Sequence, residues 1–99
     1  MTPEYKEMIK ELEITENQEK KLFDFLDDSR KKVASGNRVA AITYEQNFYL
    51  ITNDVDRHHH APEYFLFECA KEGRYSDLYI HFYEGIAKHD QRIKQYGFQ

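Results

Sequence analysis

The stretch Asp54-Val55-Asp56-Arg57-His58-His59-His60-Ala61-Pro62 holds three of the chain's five histidines beside two aspartates. In an extended segment alternate side chains share a side, so Asp56, His58 and His60 point together. One carboxylate and two imidazoles form a ligand set suited to zinc or another divalent transition metal. The fourth position falls to water, Asp54, His81 or His89. This spacing matches no established metal motif, and the competing reading is a solvated loop whose imidazoles titrate near neutral pH. On protonation these histidines would form, with Arg57, a basic patch able to meet an anionic or protein partner.

Other chemistries find less support. His89-Asp90 has the look of a metal-dependent phosphohydrolase pair, but such a site needs more histidines and aspartates on a larger scaffold. His89 instead falls in the helical stripe of Phe82, Ile86 and Ile93, where a hydrogen-bonded core or interface histidine is expected. His81 lies four residues after Asp77 and can pair with it on a helix. There is no Gly-x-Ser-x-Gly elbow, and Ser29, Ser35 and Ser76 read as helix-surface or capping residues. Cys69, among Phe65, Leu66 and Ala70, reads as a buried small hydrophobe without the positive neighbours that activate a thiolate. The four glycines are too scattered to cradle a phosphate. Asp27-Asp28 reads as a solvated helix face.

Nucleic-acid binding is weighed on Tyr44, Phe48 and Tyr49, which could stack on unpaired bases. Phosphate neutralisation supplies most of the affinity in such complexes, and here 14 basic against 18 acidic residues give a net charge of −4. The concentrated basic cluster, Arg30-Lys31-Lys32, is explained by the end of a helix. Nucleic acid is therefore disfavoured as a partner.

Tyrosine is in surplus: eight, with no tryptophan. Its large contact area and polar tip suit protein interfaces. Tyr75, Tyr79 and Tyr83 make a ridge on a helix, or line one face of a sheet. With Tyr49 and Arg57 they form the candidate partner-binding set. The expected function is a small non-catalytic protein-interaction module that recognises another protein, or a second copy as a homodimer. A sharper form is a regulator or inhibitor of the kind carried by mobile elements. The alternatives are a divalent-metal-binding module at residues 54–60, centred on Asp56, His58 and His60, and a single-stranded nucleic-acid binder using the aromatic hairpin.

These residues must be positioned by one core, since 99 residues with 40% hydrophobic and 32% charged side chains support a single domain, 1–99. The apolar run Tyr64-Phe65-Leu66-Phe67 is far short of the roughly 20 residues that span a bilayer. The N-terminus lacks the apolar segment of a secretory signal, and a lone cysteine suits a reducing cytoplasm.

The spacing of Tyr5, Met8, Ile9 and Leu12 predicts a helix over 3–13, capped by Thr2 and begun by Pro3. Thr15-Glu16-Asn17-Gln18 fits a capping box. The helix it starts carries Leu22, Phe23, Leu26 and Val33 inward and stops at Gly36, giving an N-terminal helical hairpin. The β-branched runs 39–44 and 48–52, joined by Glu45-Gln46-Asn47, predict a central antiparallel β-hairpin with Asn47 left-handed. Beyond it, Pro62-Glu63 opens a helix ending at Gly73, and Ser76-Asp77 opens another that runs to Gly97. The fold class is thus α+β. A rival reading pairs 64–70 with 75–83 as a second hairpin, giving a four-stranded antiparallel sheet with a final helix from near Gly85.

Overall fold

A computed structural model describes residues 1–54 and 59–99. The described residues form six helices and no strand. In chain order these are α1 (Pro3–Glu11), α2 (Glu16–Ala34), α3 (Ala41–Thr52), α4 (Ala61–Lys71), α5 (Ser76–Tyr83) and α6 (Ala87–Tyr96). The fold is therefore all-α, and both sheet-containing readings of the sequence are overturned.

The N-terminal signals act as local chemistry requires. The Thr2 hydroxyl accepts from the Tyr5 amide at 3.1 Å, with proline in the first turn of α1. At α2 the reciprocal box forms: the Gln18 amide donates to the Thr15 hydroxyl at 3.1 Å, and the Thr15 amide to Gln18 Oε1 at 3.0 Å. Gln18 Nε2 also donates to the carbonyl of Thr52 at 3.1 Å, which fixes the end of α3 against the start of α2. The two helices do not pair chiefly with each other, however. The first lies against α4 and the second against α3.

The largest correction is α3. The residues of the expected hairpin, 39–52, form a single helix after an extended Ala40. Tyr44 and Phe48, four apart, are buried on one face, with Ile51 packed beside them. Asn47 does not turn the chain; its amide donates to the Thr43 carbonyl at 2.8 Å, and the Thr52 hydroxyl donates to Phe48 O at 2.9 Å. Both polar side chains thus bond inside the helix. The reason is tertiary: with 61–83 helical, a lone two-stranded hairpin would have no further strand to join and is marginal in water. β-propensity is a weak prior that packing overrides. Ile42 and Leu50 remain 59% and 77% exposed, the cost of fitting a β-like sequence onto a helix.

The central element is α4, which packs against α1, α3 and α5. It buries Phe65, Leu66, Cys69 and Ala70 and, unusually, Glu68. The stretch expected as one helix from Ser76 to Gly97 is two. Gly85, at φ +89°, breaks it between α5 and α6, and its amide donates to Asp90 Oδ1 at 2.8 Å. That corner folds α6 back beside α5, bringing His89 to the buried Tyr79. Among the described residues no helix is long and apolar enough to cross a membrane.

Two substitutions test this arrangement. In a continuous helix Gly85→Ala would stabilise the fold by about 1 kcal/mol; at this left-handed corner it should destabilise by about 1–2 kcal/mol. Tyr44→Phe removes a buried hydroxyl that donates to the Pro62 carbonyl at 2.6 Å and should cost about 1 kcal/mol. Thermal unfolding reads both, with about 4–8 °C expected per kcal/mol in a domain of this size.

Candidate functional site

The expected site residues do not come together. Tyr79 and Tyr83 are buried, so they are part of the core and present no ridge. The Tyr83 hydroxyl donates to Glu45 Oε2 at 2.9 Å. Tyr75 caps α5 in a left-handed conformation, φ 61°, its ring stacked on Phe23 and its hydroxyl donating to Asp27 at 2.7 Å. Burial, then Asp27, pushes this phenol up to about 12. Tyr49 lies on α3, half-buried against Phe48. Tyr44 and Phe48, two of the three aromatics weighed for stacking on bases, face the core. Arg57, Asp56 and His58 lie outside the described residues. Among those described, no group of three or more His, Cys, Asp or Glu side chains is arranged to hold a metal ion. His81 does not pair with Asp77; its Nε2 lies 3.1 Å from the Val39 carbonyl, and Asp77 takes a two-bond contact from Arg30.

A different constellation emerges between α4 and α6. A cleft of about 280 Å³ is lined by Tyr64 and Phe67, with His60, Glu63 and Glu68 from the α4 side and Lys88 and Arg92 from α6. This is near the lower end of ligand-pocket sizes, roughly 300–1,000 Å³. Successive α4 turns place Glu63/Tyr64 and Phe67/Glu68 on one face, and Lys88 and Arg92 are i,i+4 neighbours on the opposing helix.

Behind the cleft runs a buried polar chain. The Tyr79 hydroxyl hydrogen-bonds His89 Nδ1, and His89 Nε2 lies 3.4 Å from Glu63 Oε2. With the phenol donating to Nδ1, the imidazole is neutral and carries its proton on Nε2, facing the carboxylate. Burial lowers the pKa of His89, outweighing the opposite pull of Glu63. Glu63 also faces Lys88 Nζ at 3.2 Å and His60 Nδ1 at 3.3 Å. Burial pushes Glu63 up, but the Lys88 hydrogen bond and charge, with the neighbouring imidazoles, hold it below the usual carboxylate range. Both ring nitrogens of His89 are thus engaged inside the protein, and the chain ties α4, α5 and α6 together.

In the lining, one carboxylate oxygen has no hydrogen-bond partner and one guanidinium has no carboxylate beside it. Glu68 is 6% exposed; Lys71 sits 2.9 Å from its Oε2, while its Oε1 is buried with no hydrogen-bond partner. Arg92 lies flat on Phe67, its guanidinium carbon 4.5 Å from the ring centroid. It reaches the Tyr79 hydroxyl, partly offsetting the upward push of burial on that phenol. Among the described residues it has no carboxylate within ion-pair distance, whereas Lys20, Arg30, Lys32, Lys71, Arg74 and Lys88 do, six of the thirteen described lysines and arginines. A larger hollow, about 480 Å³ beside Met1 and Thr2, has its charges already satisfied: Glu72 accepts from Arg74 and from the Thr2 amide.

Sequence reasoning passed over Glu63, Glu68, Lys88 and Arg92. One signal was present: Glu68 interrupts the apolar run 64–70, three residues after Phe65 on the same helical face, so a helix there must bury it.

No protein-family model matches the chain, and no curated protein or solved structure matches it. What the cleft can hold therefore follows from its own chemistry.

The buried histidine makes stability depend on pH. Because the folded state binds this proton more weakly than the unfolded chain, stability is full above the ordinary imidazole pKa, near 6.5. It is lost as pH falls from there toward the lower folded value. Glu63 acts in the same sense at pH below the ordinary carboxylate value of 4.5. Every tenfold weakening of proton binding costs about 1.4 kcal/mol. The melting temperature should therefore fall between pH 7.5 and 5.5, and His89→Gln should start lower but flatten that slope. An unchanged slope in the variant would remove His89 as the cause.

Proposed function

We propose that the protein is a non-catalytic recognition module that binds another protein through the α4–α6 cleft. One observation carries this reading: Lys88 and Arg92 of α6 stand beside the aromatic Tyr64 and Phe67 of α4 in one concave site. The surroundings suit a protein partner. Arginine and tyrosine are typical interface anchors, and α6 also carries Tyr96, 48% exposed, with Ile86, 50% exposed, capping its start.

What supports the absence of catalysis is the state of the reactive groups. The Cys69 thiol is buried and pushed up to about 12 by that burial, far from the thiolate a nucleophile requires. His89, the buried imidazole, has both nitrogens committed. A free, buried cysteine also suits action in a reducing cytoplasm.

The test uses the full chain as bait in lysate of its own cells, beside the double variant Lys88→Glu, Arg92→Glu. Lys88 pairs with Glu63 and Arg92 lies on Phe67, so the variant should lose some stability, and binding is compared at a temperature where thermal unfolding shows both chains folded. The parent should recover a stoichiometric protein partner. The variant should bind it roughly thirtyfold more weakly, as expected for an arginine anchor worth about 2 kcal/mol. Recovery that is equal for both chains, or no partner with either, would refute the reading.

A further inference from the structure

Beyond that reading, we propose that two copies of this chain associate through the solvent side of α3. The two helices lie antiparallel across a two-fold axis at Gln46, and Ile42 of each copy meets Leu50 of the other. None of these residues lines the α4–α6 cleft, so the two surfaces stand or fall separately.

Composition sets this face apart. The chain is 32% charged, and α1, α2, α5 and α6 each expose charged side chains. On α3 the exposed residues are Ile42, Thr43, Gln46 and Leu50, all uncharged. The single charged residue of this helix, Glu45, is half-buried and accepts from the Tyr83 hydroxyl at 2.9 Å. Ile42 and Leu50, 59% and 77% exposed, are two of the five large hydrophobics left in solvent among the described residues. The β-like composition of 39–52 explains why apolar residues stand outside the helix. Charge and symmetry say what covers them.

Each copy carries a net charge of −4, so two copies repel on approach and gain most where they meet on an uncharged face. Residues four apart on a helix share a side, so Ile42, Gln46 and Leu50 form one row with Gln46 at its midpoint. Ile42 and Leu50 stand about 12 Å apart along the axis. Turning this row by half a turn about Gln46 lays Ile42 on Leu50 at both ends, the self-match that a two-fold interface requires. At the axis each Gln46 faces its own copy. A primary amide both donates and accepts, so two of them hydrogen-bond to each other, whereas a carboxylate or an ammonium there would face its like. Other occupants fit less well. Anionic membrane surfaces and nucleic acids are drawn by lysine and arginine, and α3 contains neither. One helix pair buries well under the ~800 Å² per partner of a standard stable complex. The dimer is therefore weak and exchanging, with a dissociation constant on the order of 100 μM.

Sedimentation equilibrium of the full chain, from about 10 μM to about 1 mM, reads the association. The average mass should climb from 11.9 kDa toward twice that value and stop there, because a two-fold contact closes on itself. Gln46→Glu and Gln46→Lys should each dimerise at least about tenfold more weakly, since like charges then meet at the axis. Mixed in equal amounts, these two variants should associate at least as well as the parent. Glutamine, glutamate and lysine have similar helix propensities, and position 46 is exposed, so both variants should melt with the parent. Leu50→Gln, at the end of the row, should weaken the dimer without needing charge. A parent that stays at 11.9 kDa up to about 1 mM overturns the proposal. So do growth beyond two copies, single variants that dimerise like the parent, or a mixture that fails to associate. A chain that stays single yet binds neutral lipid vesicles, or that loses its lysate partner on Leu50→Gln, also overturns it, giving the face to a membrane or to another protein.

Discussion

Four phenol hydroxyls buried in one small core set the terms for the rest of the molecule. Tyr5, Tyr44, Tyr79 and Tyr83 supply bulk in a chain without tryptophan, and all four are essentially shut off from solvent. A ring gains by burial, but its hydroxyl loses about 1–3 kcal/mol unless an acceptor is found. Each acceptor comes from another helix. Tyr5 of α1 reaches Glu19 of α2, Tyr44 of α3 the Pro62 carbonyl of α4, Tyr79 of α5 reaches His89 of α6, and Tyr83 of α5 reaches Glu45 of α3. Every helix is held by at least one such bond. Sliding any helix by one residue, about 1.5 Å, would spoil at least one of these bonds, and sliding α3 or α5 would spoil two. Ring packing reinforces the same register: Tyr44 stacks on Phe82 at 5.2 Å, and Tyr83 on His89 at 4.6 Å.

That register creates the cleft. The Tyr79–His89 bond draws the start of α6 against α5, and His89 in turn faces Glu63 on α4. Lys88 and Arg92 then stand over the α4 face that carries Tyr64, Phe67 and Glu68. The turn that allows this is the left-handed Gly85. Chemistry at the surface thus descends from hydrogen bonds in the interior: a core that had to satisfy phenols also fixed where two cations meet a buried carboxylate.

The helix signals that could be read in the sequence were those written within a few neighbouring residues. Thr15 and Gln18 specify the start of α2 because the capping box is closed by its own members, and Gly36, Gly73 and Gly97 mark left-handed stops. Central residues 39–52 misled because their β-branched content is a local preference, whereas their state is decided by what Tyr44 and Phe48 can cover on α2 and α4. The tyrosine surplus was legible but its direction was not. A spacing of four suits an outward ridge and an inward one equally, and only the acceptors Glu45 and His89, far along the chain, turn Tyr83 and Tyr79 inward. The cleft was illegible for a related reason: it is assembled from two helices whose approach depends on one glycine corner.

Glu68 carries the last step of this synthesis. A helix facing a core could hold glutamine, leucine or methionine at this position without leaving an acceptor unpaired, and burial of a carboxylate is costly even with Lys71 beside it. The neighbouring hydroxyls show that this sequence satisfies buried polar groups wherever satisfaction is structural. Glu68 Oε1 departs from that rule, and the residue lines the same cleft as Lys88 and Arg92. An acceptor left in that state lowers the stability of the fold by about 1–3 kcal/mol.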